Sequence, residues 1–283
     1  MTLEIEQLLH RERLPHIWCA GCGVGIVAGA FLRAVLDLGL KRENTVVVSG
    51  IGCSSRAAGY IDLNTVHAIH GRALPVATGI KMARPEFTVI VLTGDGDGAA
   101  IGGNHLIHSC RRNIDLTCIL FNNQIYGMTG GQFSPTTEPG DIATTAPYGQ
   151  FEPPFDLCRL AEAAGATFVA RGTAANIRQT EKLIKQGIQH CGFSFIEAVV
   201  PCPTEYGRRN KPAKAVDMLE AERARSISKT KAARLSPEEL RDKIVTGVLY
   251  EDTQKPEFQR TYAEVSAGVR AQVGRRFAEE DEK

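Results

Sequence analysis

The segment FTVIVLTGDGD, residues 87–97, runs an unbroken apolar stretch into a turn of glycines and carboxylates, and IDLTCILFNN, residues 114–123, does the same with two asparagines at its end. Short apolar runs rich in β-branched residues and closed by turn residues are the pattern of strands buried on both faces. Between them AAIGGNHLIHSCRRN (99–113) has helical spacing, so a helical crossover joins the two strands and sets them parallel. The pattern recurs outward in both directions. A helix over 24–39 (VGIVAGAFLRAVLDLG) stops at Gly39, a strand TVVVSGIG (45–52) ends in a Gly-rich turn, and helix-then-strand blocks follow at 156–171 and 177–200. Strands alternating with helices imply an α/β fold: a mostly parallel sheet with helices on both faces, whose ligands sit outside the carboxyl ends of the strands. The Gly-rich and polar turns all fall on that edge.

The chain has 283 residues, 43% hydrophobic and 23% charged, enough apolar material for one large core. Lys and Arg number 33 against 32 Asp and Glu, so the net charge of +1 gives no reason to expect nucleic acid or an anionic membrane as partner. The first residues, MTLEIEQLLHRERLPH, include early acids and lack the apolar core of a signal peptide, and no apolar run reaches the length of a membrane span; a cytoplasmic location is expected. The α/β domain is expected to occupy residues 1–205. Residues 206–283 form a C-terminal extension with basic stretches, helix patterns at about 217–230 and 236–250, and an acidic end, AEEDEK. Such a composition suits a tail that wraps a partner or lies in solvent.

The turn Gly94-Asp95-Gly96-Asp97-Gly98 has a clear physical use: glycines let backbone N–H groups approach phosphate oxygens, and a carboxylate holds the accompanying Mg2+. Alone it is equally a tight turn or part of a calcium loop. A crossover brings the ends of adjacent strands together, so Asn123 and the Ile125 carbonyl can add oxygens beside Asp95. A third loop, His67-Ala-Ile-His70-Gly71-Arg72, places His70 at a similar turn, although a lone histidine is more often a satisfied structural residue. His105 and His108 share a helix face with no further ligand evident.

Eight cysteines in a reducing compartment divide into packing and ligation. Cys19-Ala-Gly-Cys22 lets two thiolates converge, a spacing shared by redox disulfides, structural zinc and iron–sulfur clusters. Cys53, in a Gly-rich turn, and Cys202, between two prolines after the last predicted strand, are the remaining loop cysteines. Cys110, Cys118, Cys158 and Cys191 fall in predicted elements and are assigned to packing.

GDG followed by a strand ending in NN resembles the thiamine-diphosphate motif of transketolase-like enzymes. The segment IYGMTGGQFSPTT (125–137), together with WCxGCG at the N-terminus, the GCS turn and a late PCP cysteine, resembles the β subunits of 2-oxoacid:ferredoxin oxidoreductases over roughly residues 10–205. The resemblance implies thiamine diphosphate and Mg2+, with Asp95, Asn123 and the Ile125 carbonyl as metal ligands. It implies cofactor contacts from Ser54, His70, Gly94, Gly96, Asp97, Gly127, Met128 and Thr129, and a [4Fe–4S] cluster on Cys19, Cys22, Cys53 and Cys202. It further implies CoA-dependent oxidative decarboxylation, with electrons passing to ferredoxin and a larger α subunit completing an α2β2 enzyme. His70 and Arg56 are the catalytic candidates, Arg56 facing the cofactor pocket to take a substrate carboxylate. The YGMTGGQ form is closer to the 2-oxoglutarate type than to the pyruvate type. Pyruvate or another 2-oxoacid, a non-redox thiamine-dependent decarboxylase with structural zinc, and a non-catalytic electron carrier are the other readings.

Overall fold

The structure, a computed structural model, describes residues 5–281, with side chains to residue 273; the first four residues, and the side chains of the acidic end, lie outside the described part. In chain order its main elements are α1 (Gly23–Asp37), β1 (Thr45–Ser49), β2 (Asn64–His67), α2 (Ala73–Ala83), β3 (Thr88–Gly94), α3 (Gly103–Arg112) and β4 (Thr117–Asn122). A small hairpin, β5 (Ile125–Tyr126) and β6 (Gln132–Phe133), precedes α4 (Leu157–Ala163), β7 (Phe168–Thr173), α5 (Ile177–Gln189) and β8 (Ser194–Val199). The last part holds α6 (Ala215–Arg225), β9 (Ser226–Ser228), α7 (Lys229–Ala232), α8 (Pro237–Leu240), β10 (Ile244–Glu251) and α9 (Phe258–Asp281).

Eight strands form one sheet in the order β2-β1-β3-β4-β8-β7-β10-β9. The six from β2 to β7 are parallel. The period-2 alternation of strand side chains sorts the two cores. Ile90, Leu92, Ile119, Phe121 and Ile196 point toward α1 and α5, whereas Val89, Val91, Cys118, Leu120 and Phe195 point toward α2, α3 and α4. Neither face of the central strands meets water, which is why β3 and β4 read as solid apolar runs. Pairing of Gly94 with Phe121 and of Asn122 with Val199 brings the carboxyl ends of β3, β4 and β8 level on one edge.

The expected mostly parallel α/β sheet is observed, but the C-terminal extension departs from its reading. Residues 244–251 form a strand antiparallel to β7 inside the main sheet, where a helix over 236–250 and a tail outside the core were expected. Only the short α8, opened by a capping box on Ser236 and Glu239, keeps the helical pattern. Without β10 the outer edge of β7 would present unpaired N–H and C=O groups to water. Asn113 and Phe258 tie the start of α9 back to the domain: the Phe258 N–H donates to the Asn113 carbonyl, and the Asn113 amide donates to the carbonyl of Pro256. No helix among the described residues is long and apolar enough to cross a membrane.

Candidate cofactor site

Four loops at the carboxyl edge of the sheet enclose a cavity of about 210 Å3 lined by Cys53, Ser54, His70, Gly94, Asp95, Gly96, Asp97, Asn123, Ile125, Gly127, Met128 and Thr129, with Val24, Ile51 and Phe121 as apolar wall. The chain turns sharply after β3 and β4 to build it. Gly96 is required because a Cβ there would lie 2.2 Å from the Tyr126 ring, and the Tyr126 hydroxyl donates to the Gly96 carbonyl at 3.0 Å. Gln124 adopts φ 59°, a left-handed conformation rare for such a side chain, held by its N–H donating to Asn122 Oδ1 at 3.1 Å.

Asp95 is buried, and its Oδ2 accepts from the Ser134 hydroxyl at 2.6 Å and the Thr136 hydroxyl at 2.9 Å. Its Oδ1 faces the Asn123 side chain at 3.1 Å, and the same Asn123 atom lies 2.7 Å from the Ile125 carbonyl oxygen. With the amide oxygen in that place, three oxygens converge with no proton between them; turned over, the amide would donate to both neighbours. Octahedral Mg2+ with bonds of about 2.0–2.1 Å sets neighbouring ligand oxygens about 2.9 Å apart, which fits the converging arrangement. Burial pushes the Asp95 carboxyl up to about 6 against the two hydroxyls, a shift that a cation beside it reverses.

The cysteines meet on the same side. Gly127 brings the 125–131 loop against two thiols: a Cβ on it would lie 3.5 Å from Cys53 Sγ and 3.6 Å from Cys202 Sγ. The Gly23 N–H donates to the Pro201 carbonyl at 3.0 Å, joining the CxxC loop to the PCP loop, and Trp18 Nε1 donates to the Cys53 carbonyl at 2.7 Å. Burial pushes Cys22 up to about 11 and Cys53 up to about 12; both feel Cys19 and Cys202, and Cys53 also feels Cys22. Exposure falls from Cys19, at the surface, through Cys22 and Cys53 to buried Cys202. Among the described residues no three His, Cys, Asp or Glu side chains stand close enough together to hold a single ion. Cys110, Cys118 and Cys158 are buried in the cores, whereas Cys191 lies exposed beyond the end of α5.

Arg56 does not line this cavity. Ser54, Ser55, Ala57 and Ala58 take the inward positions of the tight turn after Cys53, leaving Arg56 exposed with its guanidinium 6.0 Å from the centre of the Tyr60 ring. It lines a separate cavity of about 490 Å3 with Arg13, Ile17, Tyr60, Thr65 and His67. Three residues that sequence reasoning passed over belong to the cofactor cavity or its support: Tyr126, Ser134 and Thr136. The hydroxyls of FSPTT were the available signal, since a buried carboxylate needs donors.

Behind the turn carrying Asn123 lies another cavity of about 310 Å3, and a buried polar chain connects the two. The Thr136 hydroxyl lies 2.8 Å from Asn122 Oδ1 and 2.9 Å from Asp95 Oδ2, with one proton to share between them, Asn122 Nδ2 donates to Glu197 at 2.7 Å, and Glu197 pairs with Arg171 at 2.6 Å. Arg171 also reaches Asp156 at 2.6 Å, and the Cys158 thiol donates to Glu197 at 3.2 Å.

Fold and cavity together define a thiamine-diphosphate-binding α/β domain: the family described as thiamine pyrophosphate enzyme, C-terminal TPP binding domain, matches residues 50–198. The 2-oxoglutarate synthase subunit KorB of Methanocaldococcus jannaschii is 57% identical over 250 residues, covering 88% of this chain and 92% of that protein. The corresponding subunit from Archaeoglobus fulgidus is 57% identical over 75% of this chain and 79% of its own length. The solved 2-oxoglutarate:ferredoxin oxidoreductase from Magnetococcus marinus, with 2-oxoglutarate, coenzyme A and succinyl-CoA bound, superposes with a TM-score of 0.83 at 33% identity, covering 94% of this chain and 90% of that one. The chain belongs to the β-subunit family of the 2-oxoacid:ferredoxin oxidoreductases, in its 2-oxoglutarate synthase KorB branch.

Proposed function

We propose that this chain is the β subunit of a cytoplasmic 2-oxoglutarate:ferredoxin oxidoreductase, which with a larger α subunit, as α2β2, converts 2-oxoglutarate and coenzyme A to succinyl-CoA and CO2 and reduces ferredoxin. The observation that carries the proposal is the meeting of two ligand sets in one place: the oxygens of Asp95, Asn123 and Ile125 on one wall of the cavity, and the sulfurs of Cys53 and Cys202 across Gly127. When bound, thiamine diphosphate supplies the electron sink for decarboxylation and a [4Fe–4S] cluster takes electrons singly.

The chain's own residues hold, orient and exclude. Asp95, Asn123 and the Ile125 carbonyl hold Mg2+, and the backbone at Gly94, Gly96, Met128 and Thr129 approaches the diphosphate. His70 lines the cavity beside them. Val24, Ile51 and Phe121 keep water from that wall. Cys19, Cys22, Cys53 and Cys202 are the thiols that would ligate the cluster, one to each iron. Arg56, which lines a separate cavity with Arg13, stands outside the site that holds the substrate in this reading.

The test is metal analysis of the anaerobically purified chain, followed by turnover with the α subunit on a panel of 2-oxoacids. About four irons and four labile sulfides per chain, with 2-oxoglutarate preferred, support the proposal. One zinc without sulfide replaces it with a non-redox decarboxylase. Preference for pyruvate or another acid overturns the substrate.

A further inference from the structure

The second carboxylate of the GDGD turn is used differently from the first. Asp97 is 3% exposed, and both of its oxygens are taken up by the protein. Oδ1 accepts from the Ile51 N–H at 3.1 Å and the Gly71 N–H at 2.7 Å and lies 2.7 Å from His70 Nδ1; Oδ2 accepts from the Thr93 hydroxyl at 2.6 Å. Oδ1 is saturated by these three groups, and Oδ2 is held by Thr93. The surroundings are shaped to it: a Cβ on Gly50 would sit 2.0 Å from Oδ2, and one on Gly102 would sit 2.4 Å from the Asp97 carbonyl. One carboxylate therefore joins the loop that leads to Cys53, the loop that carries His70 and the loop that carries Asp95.

We propose that Asp97 is the positioning residue for His70, fixing which ring nitrogen faces the diphosphate, and at the same time the tie between the Cys53 loop and the cofactor loops. The proposal rests on reading the cavity as the thiamine diphosphate site. A carboxylate at hydrogen-bond distance from Nδ1 holds a proton on that atom, so Nε2 is the nitrogen left to meet a ligand, and it donates to an anionic one when the ring carries both protons. The Tyr126 ring stands edge-on to His70 with centroids 6.1 Å apart and limits rotation from the other side. Asp97 thus acts through His70 and through backbone N–H groups, never on the cofactor itself.

The experiment is a double-mutant cycle on Mg2+–thiamine diphosphate binding by the reconstituted complex, measured calorimetrically, with iron content and thermal unfolding recorded for each variant. A charge-assisted hydrogen bond is worth about 1.5–3 kcal/mol, so Asp97→Asn and His70→Gln are each expected to weaken binding about tenfold or more. The double variant is expected to be no weaker than the worse single one, because both changes remove the same oriented nitrogen. Losses that multiply to about a hundredfold, or wild-type affinity in Asp97→Asn, overturn the proposal. Should Asp97→Asn fail to fold, Gly50→Ala displaces the carboxylate without removing it. Weakened cofactor binding by that variant, again non-additive with His70→Gln, supports the proposal; unchanged binding refutes it. Loss of cofactor binding by wild-type complex under the same conditions would instead refute the thiamine site itself.

Discussion

Replacing Glu197 by Gln tests how the metal-side turn is supported from behind. The carboxylate is 3% exposed and receives the Arg171 guanidinium at 2.6 Å, the Asn122 amide at 2.7 Å and the Cys158 thiol at 3.2 Å. Gln matches it in volume but carries no charge and presents an NH2 to partners that are themselves donors. Arg171, its side chain 15% exposed, would then keep only Asp156, whose side chain is 44% exposed and whose attraction water screens. Burial penalises the guanidinium charge, and Glu197 is the main group that outweighs it, holding Arg171 above its ordinary value. Removing one partner of a buried pair costs about 3–5 kcal/mol, which at roughly 2–4 °C per kcal/mol lowers Tm by about 6–20 °C. The assay is anaerobic denaturant unfolding, with calorimetry, of wild type, Glu197→Gln, Arg171→Met and the double variant. The double variant is expected to recover much of the loss, since with the guanidinium also gone no buried charge is left unpaired. A cost below about 1 kcal/mol for Glu197→Gln, or a double variant that costs the sum of the singles, would refute the reasoning.

Glu222, buried in the cavity behind the turn with the Ala175 N–H donating to it, is pushed by burial from its ordinary 4.5 up to about 8. The folded state therefore holds a proton that the unfolded state has released between those values, so this residue's contribution to stability falls as pH rises through about 8. Glu222→Gln is expected to match wild type in acid and exceed it at pH 9; stability curves that stay parallel across that range would exclude the effect. Ending the chain after residue 263 keeps Phe258 and Gln259 in place and is expected to move Tm by no more than about 2 °C. Ending it after residue 243 strips β10 from β7 and is expected to yield aggregates in size-exclusion chromatography; a soluble monomer would contradict the edge argument.

Elements buried on both faces were legible because their sequence has to be apolar throughout. The strands β3, β4 and β8 follow from that pattern almost residue for residue, and the helices α1 and α5 follow from apolar residues at helical spacing. The edge strand β2, Asn64–His67, has three of its four residues exposed and carries no such signature. The helix α2 was hidden by Pro75, which reads as a breaker yet sits in the first turn, where its missing N–H costs nothing. The strand β10 lies next to helix-like residues, and most of its side chains are only half-buried, so neither periodicity nor composition separates it from its neighbours. At the site, spacing and resemblance nominated the residues that line the cavity. Arg56 was nominated by its distance from Cys53 alone, and the direction of a side chain in a tight turn cannot be read from distance along the chain. The split between Asp95 and Asp97 was equally invisible, because two identical carboxylates two residues apart differ only in what the other loops bring to them.

The four cysteines of the proposed cluster are spread from the nineteenth residue to the two-hundred-and-second, and the last of them follows β8, beyond every strand of the parallel core. A ribosome must therefore release nearly the whole domain before a full set of thiolates exists. Until then the paired thiols of the CxxC loop are exposed to oxidants with no metal centre to join, so the interval between their synthesis and that of Cys202 is when a nascent chain is most open to mispaired or oxidised sulfur. A cluster drawing on all four thiols could therefore load only after β8 has been made.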